Sequence, residues 1–201
     1  MAENGRRRRG SPQAWDRRID AAQRAAERAR KKVSALRRRR PPEEFEDCAF
    51  LGRNGKEVRL SALFGRKRDL LLVHNMGVHC PYCTLWADGF QGIRGHLEDR
   101  AAFVVVSKDP PAVQRRFARS RGWTFRMVSA AMTTFTRDAG FENARGDPWP
   151  GVSAFRRTED GRILRTARDS FGPGDDYCST FHLFDLLEGG VGGWEAKFRY
   201  R

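Results

Sequence analysis

Residues 69–90 read D-L-L-L-V-H-N-M-G-V-H-C-P-Y-C-T-L-W-A-D-G-F. Asp69 to Met76 is an apolar run of the length of one buried strand. Cys80 and Cys83 follow, with Pro81 and Tyr82 between them, and this stretch opens a helix predicted to reach about Glu98. A cysteine at a helix start faces unpaired N–H groups and the positive end of the helix dipole. Both favour thiolate over thiol, so Cys80 is the expected nucleophile. Cys83 lies one turn on, close enough to attack a mixed disulfide formed on Cys80. His79 adds an imidazolium beside the thiolate. The same spacing is also half of a zinc site, and a pair of inert core thiols fits it too. There is no second Cys-x-x-Cys, and His74, His79, His96, Cys48 and Cys178 are scattered, so only Cys178 or a histidine would complete a set of ligands. The order strand, C-P-Y-C, helix favours the redox pair.

Outward from this stretch, the chain alternates strands and helices in the α/β manner. Cys48 to Leu51 and Lys56 to Leu60 flank Asn54-Gly55, a two-residue hairpin signal. Ser61 to Phe64 reads as a turn of helix, Ala101 to Ser107 as a second buried strand, and Pro111 to Arg121 as a basic amphipathic helix. Phe125 to Ser129 is a short strand, Met132 to Ala139 a helix, and Gly151 to Arg156 a strand. A turn over Thr158 to Arg162 leads into the strand Arg162 to Ala167. The last helix is expected at about Asp176 to Leu187. Cys48 is read as structural, and Cys178 as buried rather than as a relay thiol.

Two further residues belong to the candidate site. Pro150 precedes an apolar strand, a charged turn and another strand, an order similar to the thioredoxin pattern. In thioredoxin-like folds a proline in cis faces the reactive cysteine there, so Pro150 is expected in cis, the X-Pro bond being the one where cis is cheap. The alternative is an ordinary trans loop proline. His74 lies six residues before Cys80, where thioredoxins hold a buried acid that exchanges a proton with the second cysteine. A histidine there can do the same proton work near neutral pH, or it can be a hydrogen-bonded core residue, which is the preferred reading.

The net charge of +14 is unevenly spread. Residues 1–40 hold 15 Lys and Arg against 4 acids, whereas the other 161 residues hold 24 against 21. Residues 1–10 are expected to be a disordered basic tail. Ser11-Pro12 then begins a basic amphipathic helix over 11–40, ended by Pro41-Pro42. Trp15, Ile19, Ala22, Ala26, Ala29, Val33 and Leu36 form an apolar stripe in heptad register along it. The stripe is expected to lie on the main domain or on a second subunit. Arg6–Arg9 and Arg37–Arg40 come with no base-reading motif, so nucleic acid is not the expected partner. No apolar run approaches the roughly 20 residues of a membrane span, and no secretory signal is recognised. Four cysteines in 201 residues are too few for a disulfide scaffold.

From about Trp15 onward the chain resembles the bacterial thioredoxin-like family known as domain of unknown function 899. The stretches that carry the resemblance are the helix ending in R-R-R-R-P, G-K-E-V-R-L-S-A-L-F-G, C-P-Y-C-T-L-W-A-D-G-F, F-V-V-V-S-K-D-P-P, R-G-W-T-F-R-M-V-S, P-G-V-S-A-F, S-F-G-P-G-D-D-Y-C and H-L-F-D-L-L. The resemblance implies a thioredoxin-like, peroxiredoxin-related fold over 41–201, with a mixed central sheet flanked by helices and preceded by the long basic helix. The peroxiredoxin motif Pro-x-x-x-Thr/Ser-x-x-Cys is not kept, since Val73 and Gly77 stand at its proline and hydroxyl positions. C-P-Y-C is the tetrapeptide of glutaredoxins, but no glutathione-binding pattern surrounds it. The expectation is therefore a cytoplasmic thiol–disulfide oxidoreductase, the alternatives being a metal- or cluster-binding protein through the same cysteines and a non-catalytic thioredoxin-like assembly module with a basic arm. Cys80 and Cys83 are its redox pair, Pro150 shapes the substrate groove, and His74 or His79 tunes the thiolate. It would use no cofactor or metal, its partner would be a thiol or disulfide protein or a small thiol, and the N-terminal helix could form a homodimer.

Overall fold

The computed structural model describes residues 11–200. The expected Arg-rich tail, residues 1–10, lies outside the described residues. The chain divides into a unit ending at Pro41 and a unit beginning at Pro42.

The first unit is helix α1 (Pro12–Arg39). The Ser11 hydroxyl accepts the Ala14 N–H at 3.3 Å and Pro12 stands at the first helical position, where its missing N–H leaves nothing unsatisfied. Arg37, Arg38 and Arg39 occupy the last turn, opposite the negative end of the dipole. Glu27 pairs with Lys31 at 2.6 Å one turn apart. No described helix is long and apolar enough to cross a membrane.

The second unit is built on one eight-stranded sheet. In chain order its elements are β1 (Glu43–Phe45), β2 (Ala49–Leu51), β3 (Glu57–Arg59), α2 (Leu60–Leu63), β4 (Asp69–His74), α3 (Pro81–Arg100), β5 (Ala102–Ser107), α4 (Pro111–Arg121), β6 (Arg126–Ser129), α5 (Phe135–Asp138), β7 (Gly151–Arg157), β8 (Ile163–Ser170) and α6 (Ser179–Phe184). The strand order is β1-β8-β7-β4-β5-β6-β2-β3. β4, β5 and β6 run parallel, while β7 and β8 are antiparallel to their neighbours.

The apolar runs of β4 and β5 are continuous because both faces of these strands are covered. Successive side chains alternate between two apolar layers. Leu70, Leu72, Val104 and Val106 join Phe50, Phe64, Phe135, Phe141 and Phe155 in one layer. Val73, Phe103 and Val105 join Trp86, Phe90, Phe125, Phe171 and Phe181 in the other, which is the side covered by α3.

Several expected elements are corrected. The hairpin at Asn54-Gly55 has a three-residue loop: Gly52 N–H bonds to the Lys56 carbonyl at 2.8 Å, and Gly55 closes the loop at φ 77°. The helix expected over 132–139 shrinks to α5, because the Thr133 hydroxyl takes the Phe135 N–H at 3.3 Å and competes with helix propagation. The last helix starts only at Ser179, since the Asp175 carboxylate holds the Tyr177 and Cys178 N–H groups. β1 has no counterpart in the expected elements. It is fixed by distant partners: Glu43 receives a two-pronged contact from Arg165 Nη2 at 3.0 and 2.9 Å.

Gly151 begins β7 in a place that admits no side chain. A Cβ there would lie 2.3 Å from both the Asp169 carbonyl and the Phe141 ring. Gly92, on α3, has open space instead. Gly151→Ala is therefore expected to destabilise by about 2 kcal/mol or more through forced displacement of packed neighbours. Gly92→Ala should stabilise by about 0.5–1 kcal/mol through the lost freedom of the unfolded chain. Chemical denaturation of the two variants checks both signs.

Candidate active site

The junction between β4 and α3 delivers Cys80. Asn75 stays in the sheet through its N–H, which bonds to the Val106 carbonyl at 2.9 Å. Its side-chain oxygen then accepts the Gly77 N–H at 2.8 Å and turns the chain. Gly77 sits at φ 118°, and a Cβ there would meet the Asp109 carboxylate at 3.0 Å and His79 Nδ1 at 3.2 Å. Asp109, just after β5, accepts the Val78 N–H at 3.0 Å and the Ser107 hydroxyl at 2.9 Å. The loop is thereby tied to the end of β5.

Cys80 is the N-cap of α3, and its Sγ accepts the Cys83 N–H at 3.1 Å. Pro81 takes the first helical position. The Cys80 carbonyl is held by the Thr84 N–H at 3.1 Å and the Thr84 hydroxyl at 3.0 Å. The two thiols differ sharply. Cys80 is half-buried, and its pKa falls to about 6, mainly because the Cys83 thiol donates to its thiolate. The Cys83 and Tyr82 N–H groups and the positive potential of His79 assist, against a desolvation that works the other way. Cys83 is 5% exposed. Its pKa is raised well above the ordinary thiol range, first because its thiol donates to Cys80 and then because of burial. Met76 N–H approaches its sulfur at 3.5 Å.

Cys80 and Cys83 line an apolar cavity of about 240 Å³ together with Val73, Tyr82, Trp86, Pro150 and Phe171. Pro150 thus lies at the site, as expected. Its bond is trans, which corrects the cis expectation: no described peptide bond is cis. Trans is the default of an X-Pro bond, and the approach to β7 is already fixed by the Trp149 N–H on the Phe141 carbonyl at 2.7 Å. The far wall of the cavity is held by Asp175. Its carboxylate accepts the Trp86 indole N–H at 3.0 Å and the Gly172 N–H at 2.9 Å on one oxygen. The other oxygen takes the Tyr177 and Cys178 N–H groups at 2.7 and 3.1 Å.

His79 is exposed beside Cys80 and acts on it through charge alone. His74 is placed differently. It is 2% exposed, its Nε2 lies 2.9 Å from the Ser153 hydroxyl, and its ring stacks on Phe141 at 3.7 Å. That ring stacks on Phe135 and Phe141, and His74 also lines the cavity that Cys80 and Cys83 share. Burial holds its pKa well below the ordinary histidine range. Its Nε2 is thus engaged within the core, while Nδ1 is buried without a hydrogen-bond partner.

The other cysteines stand apart. Cys48 packs against the first apolar layer, and burial raises its pKa to about 12. Cys178 is buried in the second. Among the described residues, no three His, Cys, Asp or Glu side chains are grouped to hold a metal ion. Asp109, Asp175 and Trp86 were not assigned a role from sequence. The stretches K-D-P-P, F-G-P-G-D-D-Y-C and W-A-D-G-F contain them, but nothing local says which partner each would bond.

The fold is similar to that of solved peroxiredoxins. Peroxidoxin BcpB from Mycobacterium tuberculosis is 24% identical with a TM-score of 0.53, covering 64% of this chain and 84% of its own. The peroxiredoxin-like protein from Aquifex aeolicus is 18% identical with a TM-score of 0.52, covering 64% and 74%. Reduced Prx3 in complex with hydrogen peroxide from Vibrio vulnificus is 14% identical with a TM-score of 0.53, covering 66% and 88%. These likenesses identify a thioredoxin-like fold of the peroxiredoxin-related kind. Curated proteins give no match to the sequence. The model of the family described as "Bacterial protein of unknown function (DUF899)" matches residues 4–195, and the chain belongs to that family.

In reduced protein, iodoacetamide is expected to label Cys80 first. Its rate should follow thiolate formation with a midpoint near 6. Cys83 should stay unlabelled until the chain is unfolded. Peptide mapping after labelling across a pH series reads both, and a Cys80 midpoint near the ordinary thiol value of about 8.5 would contradict the N-cap geometry.

Proposed function

We propose that this protein is a thiol–disulfide oxidoreductase whose redox pair is Cys80 and Cys83. The observation that carries the reading is the asymmetry of the pair at one helix N-terminus. Cys80 is a half-buried, stabilised thiolate open to a cavity, and Cys83 is a buried thiol one turn behind it.

The reaction follows from that asymmetry. The Cys80 thiolate attacks one sulfur of a substrate disulfide. The substrate S–S bond breaks, a Cys80–substrate bond forms, and the first substrate thiolate leaves and takes a proton from solvent. Cys83 then gives its proton to solvent and its thiolate attacks Cys80 Sγ. The Cys80–Cys83 bond forms and the second substrate thiolate leaves. Two electrons pass from the pair to the substrate, and the reverse sequence oxidises a dithiol. Forming the mixed disulfide removes the Cys80 charge that the Cys83 thiol was bonded to, which lowers the barrier to ionising Cys83.

Pro81 starts the helix and Pro150 forms part of the substrate groove. His79 is the electrostatic tuner, and His74 serves the packing of β4 and β7. The catalytic unit in this reading is 41–201, with 11–40 a separate helix whose apolar stripe supplies a homodimer seam. The partner is a disulfide or thiol compound, with no nucleic acid and no membrane required. Four cysteines are too few for a disulfide scaffold, which suits a cytoplasmic setting.

Equilibration in thiol/disulfide buffers, alkylating quench and peptide mapping should show a reversible Cys80–Cys83 bond. Its potential should fall within roughly −120 to −270 mV, the range of exchange catalysts. Cys80→Ser should abolish disulfide exchange, while Cys83→Ser should accumulate mixed disulfides on Cys80. Full reductase activity in Cys80→Ser would overturn the mechanism.

A further inference from the structure

The cavity beside the redox pair restricts what can reach it. Its wall residues Val73, Met76, Tyr82, Trp86, Pro150 and Phe171 include no Lys, Arg, Asp or Glu. Asn75, which also lines the cavity, is already committed: its oxygen holds the Gly77 N–H at 2.8 Å and its amide reaches the Cys83 carbonyl at 3.4 Å. His74 also lines the cavity, with its Nε2 2.9 Å from the Ser153 hydroxyl and its ring stacked on Phe141. A charged ligand group entering between Trp86, Pro150 and Phe171 would shed water and meet no side chain of opposite charge on those walls. An apolar one would lose only its contact with water.

The cavity is also preformed. Trp86 and Phe171 lie nearly parallel, with ring centroids 6.3 Å apart. Asp175 ties the Trp86 indole and the Gly172 backbone to one carboxylate oxygen. Pro150 accepts the Phe171 N–H at 2.9 Å, which closes the wall onto the start of β7. At about 240 Å³, the space exceeds the ~150 Å³ that takes up a benzene in an engineered cavity.

We infer that the site takes small disulfides bearing an uncharged, apolar arm of about aryl size, and disfavours small disulfides whose arms are charged. This inference rests on the redox reading above. The arm fills the space between Trp86, Pro150 and Phe171 while its sulfur meets Cys80. The surrounding charge does not select for this outcome, because the second unit is net basic and would draw in anions. Selection for an apolar arm therefore has to come from the cavity.

The test uses the full-length reduced protein and three methanethiosulfonates that share one leaving group, with benzyl, 2-hydroxyethyl and 2-carboxyethyl arms. In each, the Cys80 thiolate forms a disulfide with the arm-bearing sulfur and methanesulfinate leaves. Loss of free Cys80 thiol is followed by rapid quench and mass tagging, and each rate is divided by that of 2-mercaptoethanol with the same reagent. The normalised benzyl rate should exceed the other two by about tenfold, the gain from partly burying an aryl-sized group. Met76→Gln, which adds a polar amide to the wall, should lower that ratio. Equal normalised rates, with Cys80 reacting rapidly, would overturn the inference and leave the redox pair standing. A faster carboxyethyl reagent would overturn it as well. If Cys80 reacts with none of the three until the protein is unfolded, the redox reading falls, and the inference with it.

Discussion

Everything at the site depends on how the chain leaves β4 and enters α3. Asn75 still bonds to the sheet, and six residues later Pro81 is already in the helix. The turn is possible because Gly77 adopts φ 118° and carries no side chain where the Asp109 carboxylate sits. Asp109 in turn binds the Val78 N–H and the Ser107 hydroxyl, so the parallel neighbour β5 holds the loop that β4 launches. The position of Cys80 at the helix N-terminus is thus a property of two adjacent strands and not of the helix alone.

That position separates the two thiols. One sulfur sits at the helix end, collects the N–H groups of the first turn and is half open to the cavity. The other is a turn deeper, against the backbone of Met76, and is nearly sealed from water. The same hydrogen bond stabilises one as thiolate and holds the other as thiol. A nucleophile and a delayed resolving group therefore arise from a spacing of three residues, with the helix dipole and burial acting in opposite directions on each.

The opposite face of the sheet is built to stay closed. His74, Phe141 and Gly151 stack against one another, and Gly151 is the place where β7 begins beside Pro150. Arg165, 3% exposed, reaches the Ala139 carbonyl and the Glu43 carboxylate and clamps β1 to β8. Its buried positive charge also disfavours protonation of His74. A neutral imidazole among phenyl rings supports the strand that carries the site.

The sequence by itself determined what depends on neighbours along the chain. The apolar runs of β4 and β5, the Ser11-Pro12 and Cys80-Pro81 helix starts, and the placing of the cysteine pair after a buried strand were all legible, because strand period, capping and helix dipole act over a few residues. The central α/β order and the position of Cys80 at the start of α3 followed from these. Only the tertiary structure decided the rest. β1 exists because Glu43 meets Arg165 more than a hundred positions away. α6 starts late because Asp175 holds the N–H groups before it while also binding Trp86. Pro150 is trans, the default of an X-Pro bond. His74 stacks on Phe141 and bonds to Ser153 because β4 pairs with β7 there, a neighbour that a residue offset along the chain cannot report. Distances between segments far apart in the chain are fixed by packing, and the apolar cavity over Cys80, with walls from α3, the start of β7 and the loop after β8, is a product of that packing.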